Sequence, residues 1–216
     1  MSEKNNIPHN ERIMAFTDGV FAITITLLVL EIQVPNFEHS MAASKLVPAL
    51  YHLLPKLYGF ILSFVVLGIY WIAHHNMFIH ITKHNHILMW LNNLFILCTA
   101  ALPFTTGLLG EYNDQQIAVV IFGLNLFLTG LMINLIWWYA AKYELVDKET
   151  TSPAFISSVQ NYMKIAPILY LISIFASFFS LTVAKFIFVI VAGIYIFPNP
   201  FHRRRYKQFL DRLNSD

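Results

Sequence analysis

The chain reads as an all-α membrane protein with six transmembrane helices and with its N- and C-termini cytoplasmic. Three observations predict this. Of the 216 residues, 57% are hydrophobic and only 12% charged, with 19 Phe, 10 Tyr, 4 Trp and a mean hydropathy of +0.58; a soluble domain carries about twice that charge. Runs without Asp, Glu, Lys or Arg cover Leu57–Thr82, His84–Gly110, Gln115–Ala141, Ile165–Ala184 and Phe186–His202. At about 1.5 Å rise per residue each is on the scale of the hydrocarbon core. The basic residues divide unequally: with the N-terminus inside, only Lys45, Lys56 and Lys185 fall outside, and the other Lys and Arg fall on the cytoplasmic side, as the positive-inside rule expects.

Taken in order, the expected spans are 12–33, 54–78, 87–110, 115–141, 163–182 and 184–200, all in one membrane domain over 1–216. The first span carries Arg12 and Asp18 near its start and Glu31 at its end. An ionisable group at that depth is expensive and points to function. The last two spans are separated by a few residues around Ser180 to Lys185, which predicts a tight helical hairpin. Pro55, Pro103 and Pro167 lie within or at the ends of spans, where neighbouring helices can satisfy the backbone groups they free, so kinks are expected. The basic tail, His202-Arg203-Arg204-Arg205 onward, suits an anionic leaflet. The start of the chain lacks the small-residue cleavage pattern of a signal peptide, and the one cysteine, Cys98, allows no internal disulfide.

At about 100° per residue, Leu27, Leu30 and Thr26 fall about 40°, 20° and 60° from Ile23, so the four share a face of the first helix. Phe16 and Arg12 continue that stripe toward the cytoplasm. Asp18 lies about 140° away and carries its carboxylate into the body of the protein. Its partners must come from the same depth, where the second span ends in Trp71-Ile-Ala-His74-His75-Asn76 and the third begins with Trp90-Leu-Asn92-Asn93. The expectation is a buried polar network of Arg12, Phe16, Thr17, Asp18, Trp71, His74, His75 and one of Asn92 and Asn93, with Asn93 taken as the member. Such groups satisfy one another by charge-assisted hydrogen bonds, and removing one strands the rest. The same residue types suit a proton-coupled secondary transporter using Asp18 and His74 or His75, which is the alternative function.

His74, His75, His80, His84 and His86 crowd together and include a His-x-x-x-His spacing at 80 and 84. Di-iron membrane oxygenases need about eight histidines in three boxes. The remaining His9, His39, His52 and His202 are scattered, so no metal site is expected. Hydrolase, metalloprotease and phosphate-loop motifs are absent, as is the Thr-Val-Gly-Tyr-Gly filter. No enzyme, cofactor or nucleic-acid partner is expected.

Arg12-x-x-x-Phe16-Thr17-Asp18-Gly19, running on to Leu27-Leu-Val-Leu30-Glu31, resembles the first-helix signature Arg-x-x-x-Phe-Ser-Asp of the transmembrane-protein-175 potassium-channel family, with Thr17 in place of Ser. Trp71-Ile-Ala-His74-His75-Asn76-Met-Phe78 and Leu102-Pro103-Phe104-Thr105-Thr106-Gly107 are similar to its second and third helices. The resemblance implies a prokaryotic single-repeat member: a homotetramer in the plasma membrane, with the first helices lining a path that prefers K+ and admits other monovalent cations. By the same resemblance Ile23, Leu27 and Leu30 form the hydrophobic constriction, and Thr26 adds a hydroxyl layer where K+ makes transient contact. Glu31, near the expected outer mouth, is placed to attract cations.

Overall fold

The computed structural model describes residues 9–35, 42–147 and 151–196, and nearly all of them are helical. The expectations for Lys4, Lys148, positions 197–200 and the basic tail lie outside the described residues.

Helix α1, His9–Leu27, tightens into a 3-10 turn at Leu28–Glu31 and stops where the backbone becomes extended at Ile32. Pro35 follows, and a proline holds the residue before it extended. The short α2, Ala42–His52, leads into α3, Leu54–His80, whose Pro55 sits in the first turn, where no intrahelical N–H is lost. Asn85 caps α4, His86–Ala100, by accepting the Leu88 N–H at 2.9 Å. One residue later α5, Leu102–Glu111, continues the same crossing with Pro103 in its first turn. Then come α6, Gln116–Lys142, α7, Pro153–Met163, α8, Ile165–Ala176, and α9, Leu181–Ile196.

Five helical stretches are long and apolar enough to cross a bilayer: Glu11–Glu31, Leu54–His80, His86–Glu111, Gln116–Lys142 and Pro153–Ala176. Leu181–Ile196 is a shorter apolar helix of 16 residues, about 24 Å long. The protein is an all-helical, multi-pass integral membrane protein.

The helix ends differ from the expected spans around two lysines. The fifth crossing begins at Pro153, ten residues before the expected 163, and runs past Lys164, which is exposed at the joint between α7 and α8. The hairpin turn is Ser177–Ser180, and Lys185 lies inside α9. Its side chain reaches out to the Asn113 carbonyl at 2.6 Å. A long aliphatic stem lets the Lys185 ammonium leave an apolar helix for a polar partner, so Lys185 does not end α9, and Lys164 interrupts the fifth crossing only at the α7–α8 joint.

At one end of the bundle an isolated bridge pairs Ile81 with Val146, and Asp147 N–H donates to the His80 carbonyl at 2.9 Å. At the other, Lys56 pairs with Glu111 at 2.6 Å. The centre is α6, the most buried crossing. Phe122, Leu126 and Trp137 on it are fully enclosed, as are Tyr170 on α8 and Phe188 on α9. Gly130 lets α8 approach: a Cβ there would stand 3.0 Å from Pro167 Cγ and 3.1 Å from the Tyr70 hydroxyl. In lipid, close packing of this kind drives helix association.

The α7–α8 joint is closed by side chains. Pro167 has no N–H for the Met163 carbonyl, which instead accepts from Asn134 Nδ2 on α6 at 2.8 Å. The Tyr195 hydroxyl on α9 enters the next gap, accepting from Ala166 N–H at 3.1 Å and donating to the Tyr162 carbonyl at 2.8 Å. The expected kink at Pro167 therefore leaves neither carbonyl unsatisfied.

Candidate functional site

Helix α1 has two unlike faces. Thr17, Phe21, Thr24 and Leu28 are buried against the rest of the chain. On the other side Phe16 is 59% exposed, Ile23 61%, Leu27 43% and Leu30 67%, and Arg12 and Thr26 are exposed with them. Spacings of three and four keep each set on one side. The α1 crossing is also the least enclosed, 22% buried against 56% for α6. An apolar stripe that the described residues leave exposed can face acyl chains or another copy.

Thr26 Oγ1 donates to the Ile23 carbonyl at 2.8 Å. The hydroxyl proton is thus committed to the helix, and the oxygen lone pairs stay outward. Glu31 is half-buried with its carboxylate against Gly107 on α5, so closely that a Cβ at 107 would overlap Glu31 Oε2. The carboxylate therefore leans on α5, to the side of the Ile23–Leu30 stripe.

The polar groups behind α1 form two separate links. Asn92 Nδ2 donates to Thr17 Oγ1 at 3.0 Å, and Asn92 Oδ1 accepts from His74 Nε2 at 2.8 Å. All three side chains are buried. The His74 ring is stacked between Phe78, with centroids 4.3 Å apart, and Phe95, at 5.6 Å, and Phe95 in turn meets Phe21 of α1 at 5.8 Å. Nearer the surface, the Trp71 indole N–H donates to Asp18 Oδ1 at 2.8 Å. Thr17, Asp18, Trp71 and His74 thus join α1 to α3 and α4.

Four expected members stand apart from these links. Asn93 is exposed, because one residue is about 100° on a helix and Asn92 has the inward phase. Arg12 and Phe16 lie on the exposed stripe; they border an open cleft of about 530 Å³ with His84 and Asn93. Among the described residues no carboxylate is within ion-pair distance of Arg12. His75 stacks on Trp71 at 5.9 Å, and its Nδ1 is buried without a hydrogen bond.

Sequence reasoning missed the Ser63–Thr106 contact between α3 and α5, 2.6 Å between hydroxyls. It also missed Asn134 at the α7–α8 joint, although Pro167 in an apolar run signals a carbonyl in need of a donor. No group of three or more His, Cys, Asp or Glu among the described residues is placed to hold a metal ion.

Residues 12–103, which span this linked region, match the family described as endosomal/lysosomal potassium channel TMEM175. A potassium channel of Streptomyces collinus is 34% identical over 154 residues, covering 66% of this chain and 70% of that protein. The chain belongs to the TMEM175 family. A solved TMEM175 structure, the lysosomal potassium-selective channel homolog from Chamaesiphon minutus, superposes with a TM-score of 0.77 at 29% identity, over 87% of this chain and 96% of that one. The zebrafish endosomal/lysosomal proton channel TMEM175 is 32% identical over 153 residues, 66% of this chain but 29% of that protein. These TMEM175 relatives are named as channels, and channels are not enzymes.

Proposed function

We propose that four copies of this chain form a potassium-preferring cation channel in a prokaryotic plasma membrane, with both termini cytoplasmic and α1 of each copy lining the path. Ile23, Leu27 and Leu30 make the hydrophobic constriction and Thr26 supplies the oxygen layer that K+ touches in passing. Glu31 at the outer mouth raises the local cation concentration, and the polar network behind α1 holds the lining helix at its angle. No cofactor is needed.

The observation that carries this reading is the pair of faces on α1. The inner face is locked to α3 and α4, while the Ile23–Leu27–Leu30 stripe is left exposed among the described residues. Four such stripes meeting around an axis make a ring without oxygen ligands, which closes by dewetting. The committed proton of Thr26 supports the ion-contact role, because a cation needs the lone pairs that remain. The transporter alternative gains no support: Asp18 bonds to Trp71 and His74 to Asn92, and no hydrogen bond joins Asp18 to His74 or His75.

Single-channel recording of the purified protein in planar bilayers tests the proposal. Unitary currents whose reversal potential follows the K+ gradient against Na+ are expected. Currents reversing with the proton gradient alone, or slow coupled flux without unitary events, would replace it.

A further inference from the structure

Away from α1, a cavity of about 270 Å³ opens at the bundle end that carries the α5–α6 turn, between the starts of α3 and α9 and the end of α5. Its walls change character with depth. Lys185, Asn113, Thr182 and Tyr58 supply the polar end, while Phe186 and Val189, both exposed on the outer surface of α9, supply the apolar end.

Lys185 is the cation of this cavity. It lies four residues past the start of α9, about 6 Å along the helix axis. Its ammonium has three donors, and one is spent on the Asn113 carbonyl at 2.6 Å. Tyr58 donates to the Lys185 backbone carbonyl at 2.8 Å and pins that turn of the helix. Among the described residues the neighbouring charges do not neutralise it: Glu111 is paired with Lys56 at 2.6 Å, and exposed Asp114 is beyond ion-pair distance. A held ammonium with unspent donors thus faces a cavity whose other wall is hydrocarbon.

We infer that this cavity binds the phosphate headgroup of an anionic phospholipid through Lys185, with an acyl chain lying along Phe186 and Val189. Charge complementarity selects the phosphate, and the continuous apolar wall selects a lipid over a free ion. The site is independent of which ion the protein conducts.

Protein in neutral detergent is titrated with palmitoyl-oleoyl phosphatidylglycerol, with the phosphatidylcholine of the same chains, and with inorganic phosphate, and bound lipid per chain is counted by native mass spectrometry. One phosphatidylglycerol per chain, retained in preference to phosphatidylcholine, is expected. Lys185→Gln should weaken it about tenfold, the scale of one charge-assisted hydrogen bond. Lys185→Arg should keep it. Val189→Trp, which fills the apolar end and leaves the ammonium in place, should weaken it too and decides the matter if Lys185→Gln fails to fold. Equal retention of the two lipids by the wild type, or unchanged phosphatidylglycerol binding in the variants that fold, overturns the inference. So does displacement of the lipid by inorganic phosphate with Val189→Trp unaffected, which would make this a free-anion site.

Discussion

The Glu31 carboxylate rests against Gly107 so closely that the space of a Cβ at 107 is already taken by the Glu31 side chain. Glycine at 107 therefore fixes where the only acidic group of the α1 crossing's far end sits. The obstruction is the tip of a flexible side chain, so a methyl group there displaces the carboxylate at little cost to folding.

Gly107→Ala should keep thermal stability within about 1 kcal/mol and change unitary K+ conductance at low ionic strength. In a Glu31→Gln background the same substitution should have no effect. Glu31→Gln alone should lower conductance in dilute salt and lose that effect near 1 M, where the Debye length is about 3 Å. Recording across a salt series checks all three; a Gly107→Ala effect that persists without Glu31 would refute the link.

The two faces of α1 predict opposite phenotypes. Ile23→Asn alters a side chain that is 61% exposed on the subunit surface, so the subunit should fold normally while the wetted ring leaks. Phe21→Ala removes a fully buried ring packed on Phe95 and should cost about 3–5 kcal/mol. Tracer K+ efflux from liposomes and melting curves separate the two. Ile23→Asn with wild-type efflux would remove Ile23 from the gate.

Adjacent asparagines on α4 should differ sharply. Asn92→Ala strands Thr17 and His74 without their shared partner, a loss of about 1–3 kcal/mol for each buried group left unsatisfied. Asn93→Ala should stay within about 0.5 kcal/mol. Equal losses on thermal unfolding would contradict the inward phase assigned to Asn92.

Pro167 and Asn134 should be energetically coupled, because the donor that one lacks is supplied by the other. Asn134→Ala alone should destabilise by about 1–3 kcal/mol. Combined with Pro167→Ala, which restores a backbone N–H at that position, the loss should be smaller than the sum by about 1 kcal/mol. Additive losses in detergent unfolding would rule out the coupling.

The crossing segments were legible because lipid demands long runs without charge, and the two faces of α1 because helical spacing sorts Ile23, Thr26, Leu27 and Leu30 from Thr17 and Phe21. Reading failed where a side chain outreaches its backbone position. The expected spans begin at 163 and 184, close to Lys164 and Lys185, whereas the fifth crossing starts at Pro153 and α9 at Leu181. Neighbouring polar residues of like chemistry were equally hard: periodicity sets Asn92 and Asn93 apart by about 100° but does not say which points inward until α1 is in position. The partner of His74 follows from tertiary packing, and no local pattern encodes it.

Tyr195 rivets the fifth crossing to α9. Its phenol oxygen completes a gap in another helix's backbone, so pulling α9 outward would break both of those bonds. The outer helices are mechanically tied, and any motion that widens the protein must carry them together or tear a main-chain link.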